Sequence, residues 1–399
     1  MVIGISDYYL YVVNTAGNLE LKHIDAKVAK NLKPIEMPES FKQAAKKFDI
    51  NKLIGSAPVY LGADPEIFVT NKQGIIIPAF SFLPDKETAQ ITRPISPDDR
   101  DGTTSGGAGK VYNDGFQAEF DSHPFVCISW LIDTFHVKMK EILEKARAKF
   151  GNDVQLCSDT VLDVPEEFML KAAERHVQFG CMPSMNIYGD RGQVVDGKIL
   201  PFRFAGGHIH VGQVPKSEAE IVRIVKAMDA LVGCLSIALW GKTEDPRRRI
   251  FYGRAGEYRL PKHGLEYRVV SSRMLRHPFY ANMMFESARR AFKAGNTGLF
   301  ELAGTFDEEL VRSAINESHV GKARKVLVQN KNFLKPWMDE YDKNAWRVVI
   351  GTKKLKMAKT LEEDWGIAKN SFRYHWHGES PNCSIRKMVV RSVGKTVVA

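Results

Sequence analysis

An α+β fold built on an antiparallel sheet, polar on one face and packed against helices on the other, is what this sequence predicts. Three observations carry the prediction. Polar residues recur in pairs spaced i, i+2 within strand-like stretches: Asp64/Glu66, Gln117/Glu119 with Asp121, His208/His210 and Glu266/Arg268. Long helices follow these strands without regular βαβ alternation, which points to antiparallel pairing. A 399-residue chain with 44% hydrophobic and 26% charged side chains can bury a large core, and its length suggests two or three domains.

From the N-terminus, YYLYVV and LELKHI read as strands around the turn NTAGN, and a Lys-rich stretch follows. Residues 1–55 are therefore expected to form a small β-rich module, leading into a core over 56–304. GADPEIFVTNKQGIIIPA (62–79) reads as a hairpin turned by NKQG. SPDDRDGTTSGGAGK (96–110) has no apolar anchor and is expected to be a mobile lid. It is no phosphate-binding P-loop: Thr104 stands where that motif needs its first Gly, and Val111 where it needs Ser or Thr.

VYNDGFQAEFDS (111–122) alternates, with Phe116, Ala118 and Phe120 on one side and Gln117, Glu119 and Asp121 on the other. Pro124 is expected to open a helix to about Phe150, with Trp130, Leu131, Phe135, Met139 and Leu143 as its apolar stripe. Further helices are expected over Ser217–Trp240 and Pro278–Lys293. Two short strands should flank a PKHG turn within 251–272. Beyond Thr305 a basic, mostly helical region (305–399) is expected, with Thr360–Glu363 as a capping box.

The net charge of +10 is uneven. Residues 305–399 hold 18 Lys/Arg against 11 Asp/Glu, a net of +7. Such a region can attract anionic substrates or a larger assembly. Without interleaved aromatics or a known motif, nucleic acid is not the expected partner. No run of 18 apolar residues occurs, so no membrane span is expected. MVIGISDYYLYVV lacks a basic n-region and a small-residue cleavage site, so secretion is not expected either. The five scattered cysteines, with no CxxC, fit a reduced compartment such as the cytoplasm.

If the strands bearing the polar pairs are neighbours, one sheet face carries acids, two imidazoles and a guanidinium. That face is costly as core and suited to metal ions and a polyphosphate. An isolated HxH reads most simply as two hydrogen-bonded sheet histidines. In FAGGHIHVG (204–212) the adjacent Gly206-Gly207 and the acids elsewhere favour His208 and His210 as ligands. Asp64 and Glu66 repel unless a cation lies near, although edge strands also carry such charges. Glu119, in an otherwise apolar alternation whose other side supplies a core, reads as a ligand. Glu266 beside Arg254, Arg259 and Arg268 can bind a cation while the arginines hold anionic oxygens bidentately; the simpler alternative is a cross-strand ion pair. The ligand set is hard and lacks cysteine, favouring Mg²⁺ or Mn²⁺ over Zn²⁺.

The order acidic pair, lone Glu, GGHxH and Arg…Glu-x-Arg resembles the glutamine synthetase/glutamate–cysteine ligase superfamily. Within it, GADPE, QAEFD, GGHIHVG and HGLEYR are similar to the phage-associated COOH-NH2 ligase (type 2) branch, over roughly residues 60–275. The resemblance implies a glutamine synthetase-like sheet holding ATP and two or three Mg²⁺ or Mn²⁺ ions, and an amide or peptide bond formed through an acyl phosphate. It implies Asp64, Glu66, Glu119, His208 and Glu266 as metal ligands and His210, Arg254 and Arg259 as nucleotide contacts. Arg268, Arg254 and Glu266 take the catalytic roles. Phe204-Ala205 stand where glutamine synthetase has Asn-Gly, so glutamate is not implied as substrate. The expected partners are small or peptide carboxylates and amines, with a homo-oligomer compatible, in the host cytoplasm if the chain is phage-encoded. The rival readings are a guanidino-kinase-like phosphotransferase on the same sheet and a non-catalytic binding protein using its basic C-terminus.

Overall fold

The polar pairs lie on a sheet system that Pro65 divides in two. The computed structural model describes residues 2–6, 9–13, 19–23, 45–47, 58–91, 109–178, 184–190, 197–215, 217–367, 371–372 and 391–392. The expected lid lies almost wholly outside the described residues.

At the N-terminus β1 (Val2–Ser6), β2 (Tyr9–Val13) and β3 (Leu19–His23) form an antiparallel sheet, with YLYVV and LELKH paired as the sequence suggests. The main strands begin with β4 (Leu61–Ala63) and β5 (Glu66–Asn71), separated by Asp64-Pro65. Pro65 has no N–H to give a neighbouring strand, and it ends the first pairing. A return strand after β5 is reduced to a single bridge, Thr70↔Ile76.

The segment 111–122 is a hairpin rather than one strand. β6 (Val111–Asp114) and β7 (Gln117–Phe120) turn at Gly115, where φ is +64°. The alternation holds along β7 but shifts by one residue at the turn, so Val111 and Asn113 lie opposite Phe120 and Ala118, and Tyr112 and Asp114 opposite Glu119 and Gln117. There follow β8 (Val154–Cys157), β9 (Val161–Asp163), β10 (Met185–Asn186), β11 (Phe202–Phe204), β12 (Ile209–Val211), β13 (Glu257–Arg259) and β14 (Leu265–Tyr267). One sheet has the order β10-β13-β14-β12-β4, the other β6-β7-β5-β8, and β9 pairs with β11; every named pairing is antiparallel.

Register determines which side chains meet. Across the first sheet, Arg259 lies opposite Glu266, Glu266 opposite His210, and His210 opposite Gly62. Across the second, Glu66 lies opposite Glu119 and Glu119 opposite Tyr112. The intervening residues Leu61, Ala63, Ile67, Ala118, Phe120, Ile209, Val211, Leu265 and Tyr267 are buried in one large apolar core.

Helices cover that apolar side. The first, α1 (Ile128–Phe150), starts later than Pro124 suggests because Phe125 is still bonded to Leu61, N–H to carbonyl in both directions at 2.8 Å. The helical stretch after Ser217 comprises α2 (Glu218–Met228), a π-helical turn over Asp229–Gly233, and α3 (Cys234–Trp240). Ser217 caps it, accepting from the Glu220 N–H at 3.2 Å. Nearly every residue of α4 (Pro278–Asn296) is buried, the mark of a helix enclosed on all sides. C-terminal helices from Glu308 to Asp364 share this core: Trp365 is fully buried and its indole N–H donates to the Leu275 carbonyl at 2.6 Å. Thr360 and Glu363 form the expected capping box. Among the described residues no helix is long and apolar enough to cross a membrane. Cys157 and Cys234 are free thiols.

The π turn carries a buried carboxylate. Asp229 accepts hydrogen bonds from the Tyr267 hydroxyl at 2.7 Å and the Tyr188 hydroxyl at 2.8 Å. Burial raises its pKa to about 7, although both hydroxyls oppose the rise. Tyr267→Phe is expected to lower stability by about 1–3 kcal/mol, the cost of leaving a buried acceptor short of a donor, read as a lower urea midpoint at unchanged m-value. A loss below ~0.5 kcal/mol would show that Asp229 does not depend on that hydroxyl.

Candidate active site

The chain's change of sheets at Asp64-Pro65 sends the two acids of the GADPE segment into different clusters. Asp64 meets His208 and Glu266; Glu66 meets Asp114 and Glu119. In each group the donor atoms lie within 4.8 Å of one another. That is close enough for one ion with oxygen ligands at roughly 2.0–2.6 Å to touch all three.

In the first group, Nδ1 of His208 lies 3.0 Å from Asp64 Oδ1 and 3.5 Å from Glu266 Oε1. Its other nitrogen, Nε2, meets the Tyr252 hydroxyl, which fixes the ring so that Nδ1 faces the acids. His210 Nε2 is 3.1 Å from Asp64 and 4.0 Å from Glu266. Glu266, fully buried, is held by Arg259 at 2.7 Å and by Arg268 Nε at 3.2 Å. The Arg268 guanidinium lies 4.9 Å from the centre of the Tyr252 ring.

In the second group the Tyr112 hydroxyl donates to Glu119 Oε1 at 2.5 Å, and the Gly206 N–H donates to Glu66 Oε2 at 2.6 Å. Lys86 Nζ stands 3.5 Å from the same Glu119 oxygen.

Gly206-Gly207 were expected to admit a ligand or an unusual backbone angle. Both have ordinary φ, and what they admit is the protein itself. A Cβ on Gly207 would stand 2.5 Å from the Ser271 carbonyl oxygen, and one on Gly206 2.7 Å from His208 Nε2. The pair lets the chain before β12 press against Ser271 while its N–H reaches Glu66.

The electrostatics differ between the groups. Burial alone would raise the pKa of Asp64, but the charges and hydrogen bonds of His210 and His208 hold it well below the ordinary range. Glu66 is pushed up to about 8, first by burial and then by the charges of Asp114 and Asp64, with the Gly206 N–H opposing. Glu119 is raised well above its usual value by burial, Asp64 and Asp114. Burial lowers the His208 pKa; in His210 the Asp64 carboxylate overcomes burial and raises it. The first group is thus balanced by imidazoles and guanidiniums, whereas the second is short of positive charge.

All five expected metal ligands fall in these two groups, split rather than pooled. Sequence reasoning missed Asp114, Tyr112, Tyr252 and Lys86. Asp114 had a signal, since an acid next to a turn Gly can point back along the hairpin. Tyr112 joins the site across its own hairpin, seven residues from Glu119, whereas Lys86 and Tyr252 do so only through contacts distant in sequence. Arg259 and Arg268 stand at Glu266 as expected. Arg254 instead lies 3.6 Å from Asp190, which also takes Arg312 at 2.8 Å. Gln117 and Asp121 join neither group: Gln117 donates to the Phe204 carbonyl at 2.5 Å, and Asp121 accepts from the Lys110 N–H at 2.5 Å.

Comparison with known proteins agrees with the resemblance read from the motifs. A family model described as "Phage phiEco32-like COOH.NH2 ligase-type 2" matches residues 197–371. The match contains GGHIHVG and HGLEYR but not GADPE or QAEFD, and it runs on through the C-terminal helices. A solved structure described as a crystal structure of a novel glutamine synthase homolog is similar at 12% identity and a TM-score of 0.35, over 79% of this chain and 72% of that one. No curated protein matches the chain.

The raised Glu66 has a definite pH signature. A carboxyl with a folded pKa of about 8 stabilises the protein relative to its unfolded value below about 4.5, and that contribution is lost as pH rises to about 8. In metal-free protein, Glu66→Gln should therefore gain stability relative to wild type across this window, approaching about 1.4 kcal/mol per pH unit. Denaturant titrations in chelator at pH 5, 6.5 and 8 measure it. A flat difference would mean that Glu66 is ionised throughout.

Proposed function

We propose that this chain, whose residues 197–371 match the family model of the phage phiEco32-like COOH.NH2 ligase-type 2 proteins, is an ATP-dependent carboxylate–amine ligase that forms an amide or peptide bond through an acyl phosphate. The observation that carries this reading is the pair of ligand groups on the two sheets joined at Asp64-Pro65, Asp64–His208–Glu266 and Glu66–Asp114–Glu119, with Arg259 and Arg268 gripping Glu266 between them.

Joining a carboxylate to an amine in water is uphill, so the carboxylate has to be activated. Buried acids and an imidazole, all hard or borderline donors without thiolate, suit Mg²⁺ or Mn²⁺. Bound there, such ions would neutralise charge on the transferred phosphoryl group. The chain's own residues do the rest. Tyr252 and Asp64 hold His208 in one orientation, and His210 stands on the exposed side of Asp64, where the nucleotide is proposed to meet it. Arg268, almost fully buried, offers a rigid planar fork for the anionic oxygens at the reacting centre. Arg259 and Arg254, both partly exposed, are proposed phosphate contacts.

Incubation with Mg-ATP and pooled amino acids should release ADP and phosphate and generate new amide masses. A phosphorylated acceptor without amide would assign the chain to phosphotransfer instead. Glu119→Ala and His208→Ala should each lower ATP turnover by orders of magnitude while circular dichroism stays that of wild type; activity within about threefold, under ~1 kcal/mol of barrier, would remove that residue from the ligand set. Arg268→Lys keeps the charge and loses the fork. Amide yield by mass spectrometry should fall strongly while ATP affinity by calorimetry is preserved, and equal losses in both would make Arg268 a nucleotide residue.

A further inference from the structure

Lys86 has no part in the reading above, yet it reaches the acidic group. It lies on the connection between β5 and β6, with its side chain 55% exposed. Its Nζ stands 3.5 Å from Glu119 Oε1 and 4.6 Å from the centre of the Tyr112 ring. Among the described residues, no other Lys or Arg nitrogen is within ion-pair distance of Glu66, Asp114 or Glu119. Burial works against the ammonium charge, but the Glu119, Asp64 and Asp121 carboxylates more than restore it.

This is not an ordinary surface ion pair. Glu119 is buried against a second carboxylate, and its neutral partners, such as Tyr112, supply no charge. An ammonium and a divalent cation cannot both occupy the open side of Glu119 without repelling each other. The lysine stem is long, flexible and mostly in water, so it is the partner that can leave. Once displaced, a compact point charge stands at the rim of a site proposed to receive a polyphosphate.

We propose that Lys86 is the resident counter-ion of the Glu66–Asp114–Glu119 group, that a divalent ion displaces it, and that its ammonium then binds phosphate oxygens of the nucleotide. The proposal rests on the metal- and ATP-dependent reading, and it makes two effects of one substitution run in opposite directions. In Lys86→Gln, Mn²⁺ should bind more tightly because its competitor is gone, by about threefold for a partly screened pair. The affinity of the Mn²⁺-loaded variant for a non-hydrolysable ATP analogue should fall by about tenfold, the loss of one charge-assisted contact. Lys86→Arg should stay near wild type in both. Electron paramagnetic resonance of free Mn²⁺ and calorimetry of the analogue read the two quantities without turnover. Unchanged Mn²⁺ affinity in Lys86→Gln would overturn the counter-ion role, and unchanged analogue affinity would overturn the phosphate contact. If the wild type binds no Mn²⁺, the metal reading itself fails and takes this proposal with it.

Discussion

Glu66 and Glu119 face each other across paired strands, both out of water, and the rest of the site answers that juxtaposition. Two carboxylates so placed cannot both be ionised without compensation. The chain supplies neutral donors here, a backbone N–H from Gly206 and a hydroxyl from Tyr112, and among the described residues an exposed lysine is the only counter-charge within ion-pair distance. A few residues away the solution is reversed. Asp64 has two imidazoles and Glu266 two guanidiniums, so that half is nearly balanced by the protein itself. The asymmetry leaves the Glu66–Asp114–Glu119 group, of the two, the one poorer in positive charge from the protein itself.

Period-two spacing identified the strands and the inward and outward sides of Glu119, His208, His210 and Glu266, because alternation is a local property of extended chain. The long helices were legible for the same reason, through apolar stripes such as that of Leu131, Phe135, Met139 and Leu143. Legibility ended where a residue's role depended on a partner far along the chain. Asp64 and Glu66 share a strand-like spacing, yet Pro65 sends them to separate sheets, and only the partner strands β12 and β7 show it. Tyr252 orients His208 from 44 positions away, and nothing in its surroundings marks it. Phe116 fitted an unbroken alternation while actually sitting at a turn. The glycine pair was recognised as a place of close approach, but the approaching group is Ser271 and not a ligand. The family resemblance singled out Asp64, Glu66, Glu119, His208 and Glu266 without telling that they fall into two groups in space.

The two faces of the sheet are coupled through β14. Glu266 and Arg268 project to the site, and Tyr267 between them projects to the helices. Rigid placement of the site therefore draws on packing in the core, where α4 and the C-terminal helices close over the sheet. The C-terminal basic region divides accordingly: its helices through Asp364 are part of this support, whatever its charge attracts.

Strands β12, β13 and β14 are three residues each, too short for hydrophobic alternation alone to hold their alignment firmly. Asp229 changes that. A one-residue slip of β14 would turn Glu266 or Arg268 inward in place of Tyr267. An inward Glu266 would set one carboxylate against another in the apolar interior, and an inward Arg268 would take from Glu266 one of its two guanidiniums. The native alignment gives Asp229 the Tyr267 hydroxyl in addition to that of Tyr188. The π turn that carries Asp229 thus favours the native alignment of β14, the one that brings the Tyr267 hydroxyl to a buried acid.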